Sequence, residues 1–199
     1  MNGSRSIPLI ASLLCLMLAG CQTPEEIAQE KLAKEQKAKA EEAALAEKKA
    51  LEELESQSDK FAAIAPPVNE VAEPYVKGKV IFVYKRAGNK SEFLPADRAD
   101  LGELYAKSVA EVGTVVQVNC FNIRQGEYIR EKTQEKIPAF IVRCEVDLID
   151  NTIPTVIARK EFINDKLPDT TTIKPGDTRI VAISPYKEIR DFIRNLPRQ

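Results

Sequence analysis

The sequence predicts an α+β protein: a long N-terminal helical stalk, then a small antiparallel-sheet domain with a C-terminal amphipathic helix packed on it. Three observations predict it. Residues 25–55 hold ten Glu, six Lys and eight Ala, with no Gly or Pro, a composition of strong helix formers. From residue 79 onward, runs rich in Val, Ile, Phe and Tyr recur between turn residues, as strands do. Near the C-terminus Ile189, Phe192, Ile193 and Leu196 fall at i, i+3, i+4 and i+7, one apolar helical stripe.

The chain opens with a short polar segment carrying one charge, Arg5, followed by the apolar run IPLIASLLCLML at residues 7–18. A charged start, an apolar core and small residues at 19–20 read as a secretory signal peptide over 1–20. The core is too short to span a bilayer, which takes about 20 apolar residues. Leu18-Ala19-Gly20-Cys21 resembles the lipobox of bacterial prolipoproteins. That resemblance implies cleavage between Gly20 and Cys21 and lipidation of Cys21 with acyl chains such as palmitate. Two or more chains anchor stably where one does not. Gln22 rather than Asp follows the cysteine, which in Gram-negative lipoproteins implies sorting to the outer membrane.

The lipid anchor and a charged stalk occupy residues 21–64, with one helix expected over 24–58. Thr23 can cap it, Pro24 suits the first turn, and Glu25 and Glu26 complement the dipole there. Glu30 with Lys34 and Glu35 with Lys39 stand in the favourable i to i+4 order. A heptad seam would mix Ala33, Ala40, Leu51 and Leu54 with Glu30, Lys37 and Glu47, which makes a poor coiled-coil zipper. The leading expectation is a solvated stalk, and weak self-association through Leu45, Leu51 and Leu54 is the alternative. Residues 65–74, APPVNEVAEP, read as a semi-rigid proline spacer.

Residues 75–199 form the expected domain. Strand signals lie at 79–84, 113–123, 139–149, 155–163 and, more weakly, 178–184. The third is the clearest: Phe140, Val142, Cys144, Val146 and Leu148 alternate with Ile141, Arg143, Glu145 and Asp147, the half-buried pattern of an antiparallel sheet. Val116, Val118 and Cys120 share a face in the second. Asp150-Asn151 supplies a turn. Residues 125–138, QGEYIREKTQEKIP, read as a long hairpin loop or partly disordered tip. Helices are expected at 99–109 and after Ser184, which can cap, with Pro185 at the first helical position. Arg190, Arg194 and Arg198 read as a solvated face, or alternatively as a surface for acidic or phosphate groups.

Four cysteines occur. Cys15 leaves with the signal peptide and Cys21 is lipidated, so Cys120 and Cys144 remain outside the cytoplasm, where disulfides persist. Both sit on the apolar face of adjacent predicted strands, and cross-strand neighbours meet the Cα separation a bond needs. Two buried free thiols are the alternative.

The chain has no His, and 29 Lys and Arg stand against 30 Asp and Glu. Histidine-dependent triads and imidazole metal sites are therefore excluded, and nothing favours a nucleic-acid partner. No P-loop or GxGxxG motif occurs. Glu145 and Asp147 share a strand face with Arg143, which reads as a charge-balanced solvent face. No catalytic residue, cofactor or metal site is expected. EVGTVV (111–116), the cysteine strand with VDLID (146–150) and EIRDFIRNLPR (188–198) resemble an uncharacterised bacterial domain of unknown function covering 78–198. The resemblance implies one coherent domain and no reaction. The expected role is a non-enzymatic interaction or structural module, lipid-anchored in the bacterial envelope, with an envelope protein or the cell-wall polymer as partner. The alternative is a small-ligand-binding periplasmic lipoprotein.

Overall fold

The computed structural model describes residues 24–86, 90–167, 171–174 and 176–199. The expected signal peptide, the lipobox, Cys15 and Cys21 lie outside the described residues. The chain divides into two compact units, Met1–Ala46 and Glu47–Gln199. Helix α1 (Pro24–Ser56) begins in the first. There the side chains from Ala28 to Ala46 are all exposed. Among the described residues they make surface pairs such as Glu30–Lys34 at 2.6 Å and Glu35–Lys39 at 2.8 Å.

The second unit holds the last turns of α1, helix α2 (Ser58–Ala63) and a six-stranded sheet. The expected single helix over 24–58 breaks at Gln57. The sheet runs β2 (Lys90–Glu92), β1 (Lys79–Arg86), β3 (Val112–Ile129), β4 (Lys136–Asp150), β5 (Thr155–Asn164), with β6 (Ile180–Val181) beside β4. It is mixed, which corrects the expected antiparallel sheet: β1 pairs parallel with β3, and β6 parallel with β4. The cause lies between β1 and β3. Helix α3 (Pro95–Leu101) and two short 3-10 turns form a crossover, and a crossover is what a parallel pair requires. The helix expected at 99–109 therefore starts earlier, with Pro95 in its first turn, and stops at Gly102, whose φ of 54° suits glycine. At the start of β3 a Cβ on Gly113 would stand 2.2 Å from the Lys77 carbonyl oxygen, so only glycine lets these strands close.

The segment 125–138 is a hairpin as expected, but its loop is confined to residues 130–135 and the rest is strand. The β3–β4 ladder continues through Tyr128 opposite Ile137 to Ile129 opposite Lys136, with a bulge between Arg124 and Gly126. The turn is closed by the Arg130 N–H on the Glu135 carbonyl at 2.9 Å. Backbone pairing carries this arm where no alternating apolar pattern could announce it. The weak fifth strand shrinks to Ile180–Val181.

One face of the sheet carries α3 and α4 (Tyr186–Asn195). Ile189 and Ile193 of α4 are fully buried, and Phe192 and Leu196 pack at the margin, as the stripe predicts. The helix starts one residue later than expected, and Pro185 at its N-cap position makes no side-chain cap bond. Tyr186 meets Tyr84 edge-on at 4.8 Å, and Phe192 meets Phe162 at 5.7 Å, with the Lys160 ammonium 4.2 Å above the Phe192 ring.

The opposite face is partly covered by α2. Leu54 and Phe61 join the core and Leu51 packs against it. Two of the three leucines read as a self-association seam are thus occupied within the fold. Residues 67–71, read as a spacer, run along β5: Val68 pairs with Val156, and the Val71 N–H donates to the Ile157 carbonyl at 2.9 Å.

Candidate functional site

Beyond α2 the second sheet face stays open, and the alternation of four strands places its side chains. Lys85 of β1, Gln117 and Asn119 of β3, Glu145 and Asp147 of β4 and Arg159 of β5 line an open cavity of about 390 Å³. Gln117 forms its floor at 4 % exposure, held because its Nε2 donates to carbonyl oxygens at the end of α2. Register sets Gln117 opposite Asp147 and Asn119 opposite Glu145. Arg159 grips Asp147 with both prongs, Nε to Oδ1 at 2.6 Å and Nη2 to Oδ2 at 3.0 Å. Arg143 pairs with Glu145 at 3.0 Å and Glu161 at 3.3 Å. Glu145 and Asp147 do share the solvent face with Arg143, and each carboxylate is neutralised by an arginine rather than aimed at the other.

The same face continues into the arm. Phe121 lies opposite Arg143, which lies opposite Ile163, and Ile123 follows Phe121 along β3. These three apolar side chains are 42 %, 48 % and 37 % exposed for Phe121, Ile163 and Ile123. Sequence reasoning passed over them. The signal was present: in GTVVQVNCFNI the apolar positions switch from even numbers to odd after Cys120.

The shifted titratable groups lie elsewhere. Asp97 of α3 is fully buried between helices and sheet. Burial pushes its carboxyl up, against hydrogen bonds from Arg190 Nη1 at 3.1 Å and Tyr84 Oη at 3.0 Å. Burial, with the Asp97 charge, pushes the Tyr84 phenol far up. Arg190 also meets Asp100 at 2.6 Å, and its side chain is 12 % exposed, so it clasps α3 to α4. That corrects its place on a solvated arginine face. Arg194 and Arg198 reach backbone carbonyls: Arg194 that of Asp100, and Arg198 that of Arg194 at 2.8 Å. A smaller apolar niche of about 140 Å³ lies among Leu51, Phe93, Leu94 and Tyr105, below the roughly 300 Å³ usual for ligand pockets.

Cys120 and Cys144 form a disulfide, directly opposite each other on β3 and β4 with Cα atoms 4.0 Å apart. The bond faces α4, at the level where the arm leaves the helix-covered sheet. No helix among the described residues is long and apolar enough to cross a membrane. Compared with protein-family models, curated proteins and solved structures, the chain matches none.

Proposed function

We propose that this protein is a non-enzymatic interaction module of the bacterial cell envelope, held to a membrane by lipid on Cys21. The open sheet face serves as its contact surface. One observation carries the reading: Phe121 and Ile163 stand exposed on either side of Arg143, with Ile123 exposed two positions further along β3, on a face whose other half is covered by α2. Soluble domains leave such apolar groupings uncovered chiefly at contact sites. An enzyme would set shifted titratable groups in a cleft, whereas Asp97 and Tyr84 are enclosed. A small-ligand carrier would wrap an apolar pocket around a few polar groups, whereas the larger cavity is open and polar.

Two experiments test the reading. A Cys21→Ala variant should leave the membrane fraction, and retention there after signal removal would refute the anchor. A photo-crosslinking residue at 121, 123 or 163 should capture a specific envelope component in cells, and one in the stalk at 32 should not. Equal capture at all four positions, or none, would refute the contact face.

A further inference from the structure

We propose that the polar half of this face binds a neutral saccharide chain, a refinement that rests on the contact-face reading above. The cavity presents two cations, Lys85 and Arg159, two carboxylates, Glu145 and Asp147, and two primary amides, Gln117 and Asn119. Opposite charges balance, so neither an anionic nor a cationic ligand gains from entering. A phosphate or a nucleic-acid backbone would face the two carboxylates. An apolar molecule would strip water from polar groups and offer nothing in exchange, at a cost for each group left unpaired. A ligand dense in hydroxyls does neither, because each hydroxyl donates and accepts.

The groups are also preset for it. Arg159 locks the Asp147 carboxylate with one bond to each oxygen, and each oxygen keeps lone-pair capacity for an incoming hydroxyl. Among the described residues the Lys85 ammonium and the Asn119 amide make no side-chain hydrogen bond or ion pair, and Asn119 is half-buried. They stand ready to donate without breaking a bond inside the fold. The Arg159–Asp147 pair, already held in place, loses little freedom on association.

The rim supplies the remaining element. Phe121 is two positions beyond Asn119 on the same strand face and is 42 % exposed. A pyranose has polar edges and a face of C–H bonds. Its edge fits the Asn119–Asp147–Arg159 group while its C–H face lies on the Phe121 ring. The cavity is open at the surface, so a chain can cross it with one unit seated and its neighbours on the rim beside Ile123 and Ile163.

The test uses the full mature chain in detergent. Neutral tetrasaccharides, β-1,4-linked N-acetylglucosamine and maltotetraose, are titrated and followed by amide chemical shifts. Saturable shifts at Asn119, Phe121 and Asp147 are expected with at least one probe. Asn119→Ala and Phe121→Ala should each weaken binding by about tenfold and leave the thermal midpoint in place. No saturable shift up to about 10 mM, or binding indifferent to both substitutions, overturns the saccharide site. If crosslinks from position 121 still capture a specific protein, the contact-face reading survives that failure. If they capture nothing, both fall.

Discussion

Gln117 caps Phe61: its Nε2 donates to the Phe61 carbonyl oxygen over 2.7 Å, from a strand 56 positions further along the chain. It reaches the Ile64 carbonyl as well, at 2.8 Å. The last carbonyls of a helix have no partner within the helix, and here one buried amide stands in for the missing turn. Gln117→Leu keeps the shape and removes the donor. It should cost about 1–3 kcal/mol, the penalty of buried carbonyls left unpaired. A urea midpoint equal to that of the parent protein would contradict this role.

The last turns of α1 belong energetically to the sheet domain. Leu54 is fully buried and Leu45 is 54 % exposed. Leu54→Ala should therefore destabilise by about 2–5 kcal/mol, while Leu45→Ala should stay within about 0.5 kcal/mol. Guanidinium unfolding of the two variants side by side decides it, and equal losses would refute the assignment.

The disulfide closes a separation of 24 residues, for which loss of unfolded-state freedom is worth about 3 kcal/mol. Reductant should lower the stability of the parent chain by that order. The double variant Cys120→Ala, Cys144→Ala should start from the lower value and ignore reductant. A reductant response in the double variant would point to another cause.

Two buried carboxyls make opposite contributions on acidification. At Asp150 burial raises the carboxyl, but hydrogen bonds from Thr152 and Tyr75 and the Lys77 charge outweigh it and hold it below the usual range. Its folded pKa lies under the unfolded value of about 3.9. The stability it contributes is therefore present above that pH and lost as pH falls through the folded value. Asp97 has the reverse sign. Burial raises its folded pKa, so stability is fully present below about 3.9 and lost as pH rises through the folded value. Asp150→Asn should flatten the loss below about pH 3.9, and Asp97→Asn should remove a gain just above it. Unfolding free energies across the acid range, read as slopes, check both signs.

What could be read from the sequence follows from where burial is one-sided. β4 is covered on one face beside Cys144 and open at Glu145, so its alternation was plain, and with it the cross-strand pairing of Cys120 and Cys144. The C-terminal stripe was plain for the same reason. The parallel β1–β3 pair was hidden because Val80, Ile81, Phe82 and Val83 are all buried, and a strand buried on both faces shows no alternation. The arm was hidden because Glu127, Ile129 and residues 131–136 face solvent, so its pairing rests on backbone bonds and surface ion pairs such as Lys136–Glu127, and neither leaves an alternating apolar pattern. Arg190 was misplaced because its partners Asp97 and Asp100 lie some ninety positions away, and nothing local marks them. For the candidate site, the charged row at 143–147 was legible, while Asn119, Lys85 and Arg159 join it only through strand register.

The strand order also sets a timetable. β3 and β4 adjoin through the tight turn at Arg130–Glu135, whereas β1 must find β3 across the whole α3 crossover. Short loops close sooner than long ones. The hairpin should therefore zip first and bring the two thiols together while β1 is still unattached, so that oxidation precedes completion of the core. In a refolding time course with rapid thiol trapping, the Cys120–Cys144 bond should appear ahead of amide protection in β1. The reverse order would mean that the crossover, and not the hairpin, nucleates this fold.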